Sequence, residues 1–295
     1  MDSAIGWELY RSFLAVLEEG SLSAAARALA LTQPTVGRHV AALEKALAVP
    51  LFVRSQTGLL PTDAALALRG HAQAMGSIAA SLQRAAGRHG EAVQGTVRIA
   101  ASEVIGAEVL PPVLAGLRRA HPQLRLELVL SNRVQDLLHR EADVAVRMTR
   151  PEQDLLVARR IGAVTLGLYA DRDYLARHGT PHSLDELMQH ALVGFDVETP
   201  FLRAARAALP RWRREAFALR ADSDLAQLAL IRAGCGIGFF QVPLARRTPR
   251  LVSVLPQQVR LGLETWITMH QDLRGSAACS AVFAALAEAM TAHVG

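Results

Sequence analysis

The chain has 295 residues, which at roughly 150 per domain suggests about two domains. Its composition, 51% hydrophobic and 20% charged with mean hydropathy +0.20, supports a sizeable core and excludes a disordered chain. The formal charge of +5 and a sequence pI near 10 invite a nucleic-acid partner, but residues 1–90 carry 8 basic and 6 acidic groups (+2) and residues 91–295 carry 24 and 21 (+3), so neither part is a polycation.

The first 60 residues read as short helices. In Trp7–Glu19 the apolar Leu9, Phe13, Val16 and Leu17 share one face. Gly20 ends that helix and Ser21 caps the next, Ser23–Ala30. Thr32 caps a third, with Pro34 in its first turn, and Val36, Val40, Leu43 and Leu47 form its buried stripe. Leu51-Phe52-Val53 and Leu59-Leu60 flank Gly58 as a short β-hairpin. Residues 62–88 follow as a long helix in which Leu68, His71, Met75, Ile78, Leu82 and Ala85 repeat as a heptad seam. Packing of that helix on its own domain is the alternative. Gly87, Gly90 and Gly95 then make a hinge-like stretch.

From Thr96 strands and helices alternate. Strand Val97–Ala101, helix Val104–Ala120, strand Leu124–Leu130, helix Val134–Arg140 and strand Val144–Val146 make a βαβαβ pattern, which predicts a parallel sheet flanked by helices. A second set has strands near Val164–Tyr169, Leu192–Phe195, Phe217–Ala221 and Ile237–Phe240, with helices around 200–209 and 223–233. Leu263–His270 returns as a strand before a C-terminal helix, Ser276–His293. The expectation is an α/β domain of two lobes joined by crossing strands, with a ligand cleft between them.

Residues 23–47 carry the most information. Two short helices separated by Leu29-Ala30-Leu31-Thr32, with Ala24, Ala25 and Ala28 small enough for close packing, fit a helix-turn-helix. The second helix carries Gln33, Thr35, Arg38 and His39 outside its apolar stripe. Gln pairs with adenine, Arg with guanine, Thr with a methyl or phosphate, and a helix N-terminus with phosphate. Spacing alone leaves equal room for a small helical bundle with a polar outer face.

The segment Phe13-Leu14-Ala15-Val16-Leu17-Glu18-Glu19-Gly20-Ser21-Leu22-Ser23-Ala24-Ala25-Ala26-Arg27-Ala28-Leu29, then Leu31-Thr32-Gln33-Pro34-Thr35-Val36-Gly37-Arg38-His39-Val40, resembles the N-terminal domain of LysR-type transcriptional regulators. Leu43-Glu44, Val49-Pro50-Leu51-Phe52-Val53-Arg54 and Pro61-Thr62 continue the likeness, and Gly234-Cys235-Gly236-Ile237-Gly238 with Pro243 resembles a late effector-domain motif of the family. The resemblance implies a winged helix-turn-helix in residues 1–61, a dimerising linker helix in 62–90, and a two-lobed, periplasmic-binding-protein-like effector domain in 91–295. Lobe 1 would hold 91–162 and 270–295, and lobe 2 would hold 163–269.

Thr32, Gln33, Pro34, Thr35, Arg38 and His39 match the family's recognition helix, and Arg54 its wing arginine. Gly37 stands where the family usually has serine, and Gln56-Thr57 occupies a wing tip that is often basic. The implied partners are double-stranded DNA with a dyad-symmetric operator, a small-molecule effector, and further copies of the chain as homodimer or homotetramer. RNA polymerase is a further candidate partner.

Ligands of two-lobed α/β domains sit at strand C-termini and helix N-termini, where N–H groups are free. Ser102, Asn132 and Arg147 follow the first three strands, and Phe195, Ser223 and Gln241 stand at comparable ends in the second set. These six are the candidate effector contacts. Each is equally a cap, a turn residue or a surface charge, and Arg147 has Asp143 and Glu152 as alternative partners. Arg147 and the helix N-termini favour an anionic effector such as a carboxylate.

Other chemistry finds little footing. Gly234-x-Gly236-x-Gly238 is preceded by a helix and followed by a strand, the reverse of a dinucleotide loop. Arg203, Arg206, Arg211, Arg213 and Arg214 read as a solvated face. Cys235 and Cys279 make no disulfide framework or zinc site, and a buried apolar Cys235 is favoured over a redox sensor. No HExxH, GxSxG, P-loop or His/Cys metal spacing appears, so no enzyme, cofactor or metal is expected. No apolar run reaches the ~18 residues of a membrane span, and Met1-Asp2-Ser3 opens without a signal-like region. The expectation is a cytoplasmic, effector-responsive transcription regulator. The alternative is a solute-binding or catalytic α/β module whose N-terminal helices serve assembly.

Overall fold

The computed structural model describes residues 5–55, 58–86, 92–132, 142–151 and 156–294. They form two compact units, one within residues 1–86 and one within 87–134 and 142–295. The predicted helix at 134–140, the wing tip Gln56-Thr57, the hinge glycines Gly87 and Gly90, and Glu152 lie outside the described residues.

The first unit has helices α1 (Trp7–Glu19), α2 (Leu22–Leu29) and α3 (Gln33–Leu47), an antiparallel hairpin β1 (Phe52–Ser55) and β2 (Gly58–Pro61), and helix α4 (Asp63–Ala86). Local chemistry sets the boundaries. Gly20, at φ 71°, closes α1; the Ser21 hydroxyl accepts from Ala24 N–H and Thr32 from Thr35 N–H, capping α2 and α3. Val16, Ala25 and Val36 form one buried cluster, and Phe13, Leu43 and Leu51 another. Ala65 and Ala72 tie the first half of α4 into the second cluster. Farther along α4, Met75 is 36% exposed, Ile78 38% and Leu82 60%, so three seam residues face outward. The side chain of Ala85 lies outside the described residues.

The second unit opens with β3 (Gly95–Ala101), a π-helical turn at Ile105–Val109, α5 (Leu110–Ala120), β4 (Leu124–Leu130) and β5 (Val144–Arg147). Then come β6 (Leu156–Asp171), α6 (Arg172–His178), α7 (Leu184–Leu187), β7 (Val193–Gly194), α8 (Pro200–Ala205) and β8 (Leu219–Arg220). The chain ends with α9 (Asp224–Arg232), β9 (Gly238–Gln241), α10 (Val242–Ala245), β10 (Leu251–Val254), β11 (Leu261–His270) and α11 (Ala277–Val294).

The predicted parallel pairing of the first three strands is present, since β3 pairs parallel with both β4 and β5. The whole sheet, however, is mixed. Its order is β10-β6-β11-β5-β3-β4, with β9 also on β6, and β6 runs antiparallel to β11, β10 and β9. The strand expected at Val164–Tyr169 is 16 residues long, because β6 pairs with β11 at its N-terminal end and with β9 and β10 near its C-terminal end. One apolar cluster joins Ile99, Ile105, Val144 and Ile267 to Leu286 of α11, and a second gathers Leu168, Leu187, Trp212, Phe217 and Ile237.

The motif Gly234-Cys235-Gly236-Ile237-Gly238 joins α9 to β9. Gly234 takes φ 73° just after the helix, and a Cβ at Gly236 would strike the Ala191 backbone carbonyl. Those glycines serve close packing of β9 beside β7, with Leu192 bridged to Ile237. Cys235 is half-buried and Cys279 buried. By length and hydropathy α11 is apolar enough to cross a membrane, where the expectation was a run, Ser276–Ala287, too short to do so. It lies instead against the sheet, burying Ala278, Val282, Leu286 and Met290.

Candidate DNA interface and effector site

Helix α3 separates structural from presented side chains. Val36, Val40 and Leu43 are buried, whereas Thr32, Gln33, Pro34 and Arg38 are exposed and Thr35 half-buried at the N-terminal end. The exposed groups are prearranged. Thr32 Oγ1 lies 2.8 Å from Thr35 Oγ1, Arg38 donates to Thr35 Oγ1 at 3.5 Å, and Ser23 donates to Gln33 Oε1 at 3.0 Å. The helix start adds backbone N–H groups and a positive dipole end, which suit phosphate. His39 is placed differently. Its Nδ1 sits 2.8 Å from the hydroxyl of Ser12, which is 1% exposed, so this side of the ring ties α3 to α1.

The hairpin is anchored to α3 through Glu44, whose carboxylate accepts from Leu51 N–H at 2.7 Å and Phe52 N–H at 3.1 Å. At its far end Leu59 N–H donates to the Gly20 carbonyl at 3.2 Å. Thr62 donates to the Pro50 carbonyl and caps α4 by accepting from Ala65 N–H. Arg54 is exposed on β1 opposite Leu59. The anchoring roles of Glu44 and Thr62 escape a reading by residue type, since the partners are backbone groups seven to twelve residues away in the chain.

In the second unit, four of the six predicted effector residues lie in one connected neighbourhood. Ser131 N–H donates to the Ala101 carbonyl, beside Ser102, and Arg147, 6% exposed, donates to the Ser131 carbonyl at 3.5 Å. Asn132 accepts from Glu103 N–H at 3.2 Å and donates to Asp224 at 2.9 Å. Ser223 caps α9 and donates to the Glu103 carboxylate at 2.8 Å, and Leu225 N–H donates to the same oxygen at 3.3 Å. Asp143 accepts from Arg98 N–H at 2.9 Å.

The remaining two are engaged elsewhere. Phe195 is 9% exposed and packs edge-on against Phe201, its centroid 6.1 Å away. Gln241 is 5% exposed and its Oε1 lies 2.9 Å from His293 Nε2 of α11.

Sequence reasoning passed over the acidic members of the neighbourhood, Glu103, Glu108 and Asp224. Glu108, on the π-helical turn, meets Arg232 at the end of α9, and that guanidinium holds its carboxyl below the usual range. Burial and the nearby Glu103 carboxylate push Asp224 up to about 6, against the opposing hydrogen bond from Asn132. An acidic residue in a first helical turn reads as ordinary dipole complementation, and partners more than 90 residues away leave no local signal.

Four members of the arginine cluster are paired at the surface: Arg206 with Glu198, Arg211 with Asp185, Arg213 with Glu215 and Arg214 with Asp196. Among the described residues no group of three or more His, Cys, Asp or Glu is placed to hold a metal. A depression of about 230 Å³ lined by Thr180, His182, Leu255 and Gln258 involves none of the six predicted residues.

A helix-turn-helix with a hairpin wing, followed by a mixed-sheet α/β domain, is the architecture of a DNA-binding regulator. Residues 7–66 match the model described as bacterial regulatory helix-turn-helix protein, lysR family, and residues 90–291 match the LysR substrate binding domain. The chain belongs to the LysR family. CrgA, an HTH-type transcriptional regulator of Neisseria meningitidis serogroup C (strain 8013), is 33% identical over 184 residues, 62% of this chain and 61% of CrgA, so that alignment spans under two thirds of the relative. YhjC of Escherichia coli (strain K12), an uncharacterized HTH-type transcriptional regulator, is 30% identical over 256 residues, covering 83% of this chain and 84% of its own. The structure of CrgA from N. meningitidis superposes with TM-score 0.56 at 26% identity, covering 97% of each chain. The full-length structure of CbnR complexed with its target DNA shares the fold, with TM-score 0.61 at 21% identity and 98% coverage of both chains.

Proposed function

We propose that this chain is a transcription regulator that reads a dyad-symmetric operator through α3 and responds to a small molecule held by its α/β domain. The observation that carries the reading is the division of α3 between a buried apolar stripe and the presented Thr32, Gln33, Pro34, Thr35 and Arg38. Arg38 and Gln33 act on base edges or phosphate, Thr32 and Thr35 on the backbone, and Arg54 on the flanking groove. His39 supports the helix through Ser12.

The exposed Met75, Ile78 and Leu82 of α4 share one side of the helix and supply an apolar face for a second copy of the chain, as dimer or tetramer. Two copies place recognition helices about 34 Å apart, one turn of DNA. The effector site is assigned to the neighbourhood of Ser102, Asn132, Arg147 and Ser223, and the effector to a carboxylate. Phe195, packed against Phe201, and Gln241, held by His293, are left outside that assignment. The chain works in the cytoplasm, where its DNA lies, and RNA polymerase is a further partner.

Gel-shift titration with the DNA upstream of the chain's own coding region tests the reading. Sequence-selective retention that survives moderate salt supports it. Retention no better than on unrelated DNA, and lost with salt, would sink it.

A further inference from the structure

Ser23 on α2 and Gln33, the first residue of α3, join their side chains across the turn of the helix-turn-helix. The Ser23 hydroxyl donates to Gln33 Oε1 at 3.0 Å. A hydroxyl has one proton, and this bond uses it. The amide is thereby held with its oxygen tied to α2 and its NH2 as the free end. The neighbouring oxygens are committed in the same way. Thr32 Oγ1 accepts from Thr35 N–H at 3.4 Å, and Thr35 Oγ1 accepts from Arg38 at 3.5 Å. The two threonine oxygens lie 2.8 Å apart, so one hydroxyl proton bridges them and the other is left to donate outward. The side-chain oxygens of Thr32, Gln33 and Thr35 therefore all accept from within the protein. What this exposed helix start offers a partner is a set of donors: the Gln33 NH2, the remaining Arg38 N–H groups and one threonine hydroxyl.

We propose that Ser23 is a specificity-determining positioning residue: by holding the Gln33 oxygen it makes Gln33 a donor, so that Gln33, on the reading of α3 given above, selects guanine over the adenine that an unrestrained glutamine pairs with. In the major groove adenine shows an acceptor, N7, beside a donor, the N6 amine, and glutamine reads it with oxygen and NH2 together. Guanine shows two acceptors, N7 and O6. Pairing with adenine turns Oε1 to the base and breaks the bond from Ser23, leaving a hydroxyl proton to find another partner where water is being excluded. Pairing with guanine uses the NH2 and keeps the bond. Both side chains are exposed, so water competes with the tie in the free protein and its contribution to folding is small. Its consequence falls on the choice of base.

A binding selection on the full-length protein tests the proposal. The probe is the DNA upstream of the chain's own coding region, randomised a few positions at a time, with base preference read at every position. Gln33→Ala marks the position that Gln33 reads, as the preference it removes. There wild type is expected to favour a G·C pair over an A·T pair by about tenfold. Ser23→Ala is expected to turn that one preference toward A·T and to leave the other positions and the melting temperature unchanged. Ser23→Thr keeps the hydroxyl and should keep the wild-type profile. A Ser23→Ala profile identical to wild type would overturn the proposal. So would a Gln33→Ala profile that changes at no position, or a wild-type preference for A·T at the marked one, which decides the matter even if Ser23→Ala fails to fold. Wild type that enriches no sequence at all sinks the regulator reading itself, whereas selective binding with any of those wrong patterns sinks this proposal alone.

Discussion

Arg232 and Glu108 meet through two hydrogen bonds of 2.7 Å each, linking the end of α9 to the π-helical turn that follows β3. Arg232 also stands over the Phe240 ring, 5.3 Å from its centroid, which fixes the guanidinium from a third side. A π-turn is uncommon and clusters at functional positions. Here it carries the carboxylate that fastens α9. Glu108→Ala should cost about 1–2 kcal/mol, with the loss shrinking in high salt, because both side chains are partly solvated. Thermal unfolding at low and high salt checks it, and an unchanged melting temperature would remove the pair from the account.

Glu44 should matter more than an ordinary half-exposed carboxylate. Removing it strands two N–H groups, one on the fully buried Leu51, at a cost of about 2 kcal/mol for Glu44→Ala. Glu44→Gln keeps an acceptor oxygen and should retain most of the stability. Equal losses in the two variants, read by denaturant titration, would show that charge and not hydrogen bonding holds the hairpin.

Gly37 sits inside α3 with ordinary helical backbone, and a Cβ there would meet only Leu22 Cδ1 at 3.7 Å, a normal contact. Gly37→Ala should therefore stabilise the protein by about 0.5–1 kcal/mol through helix propensity. A lower melting temperature in that variant would mean α3 is packed more tightly than the geometry indicates.

Acid should act on the second unit through Asp224. Its carboxyl is raised from 3.8 to about 6 in the fold, so ionisation penalises the folded state. The penalty is absent below the ordinary value, grows as pH rises from about 4 to 6, and is constant above 6. His293 opposes this, since burial lowers its pKa and its stabilising neutrality is lost on acidification. Comparing wild type with Asp224→Asn cancels the histidine. The difference in melting temperature, wild type minus variant, should rise between pH 7 and pH 5. A difference that stays level would contradict the half-buried, carboxylate-flanked placement of Asp224.

Much of the first unit is legible from local chemistry. Ser21, Thr32, Pro34 and Gly20 mark helix ends by direct backbone bonding, and the stripe Val36-Val40-Leu43 fixes which face of α3 turns inward. The sheet of the second unit is less legible. Strand direction is not encoded in hydrophobic period, so antiparallel β6 and β11 were indistinguishable from members of a parallel set. The start of β6 also carries exposed Arg159 and Arg160, which break the apolar pattern at the place where the strand begins to pair with β11. Serine and asparagine positions of the effector neighbourhood were readable as loop and cap residues. Glu103, Glu108 and Asp224 were not, because what they do depends on distant contacts. Gln241 fell at a strand end as expected, yet its side chain is committed to His293.

Arg38 gives the most direct test of whether α3 reads DNA. Fluorescence anisotropy of the full-length protein on its own upstream DNA and on unrelated DNA, at moderate salt, compares wild type with Arg38→Ala and His39→Ala. The account predicts that wild type prefers its own site by about 10³-fold or more, and that Arg38→Ala loses about tenfold in affinity with its melting temperature unchanged. His39→Ala should lose stability through Ser12 more than affinity. Equal binding to both DNAs, or an Arg38→Ala protein that binds the operator as well as wild type, would contradict it.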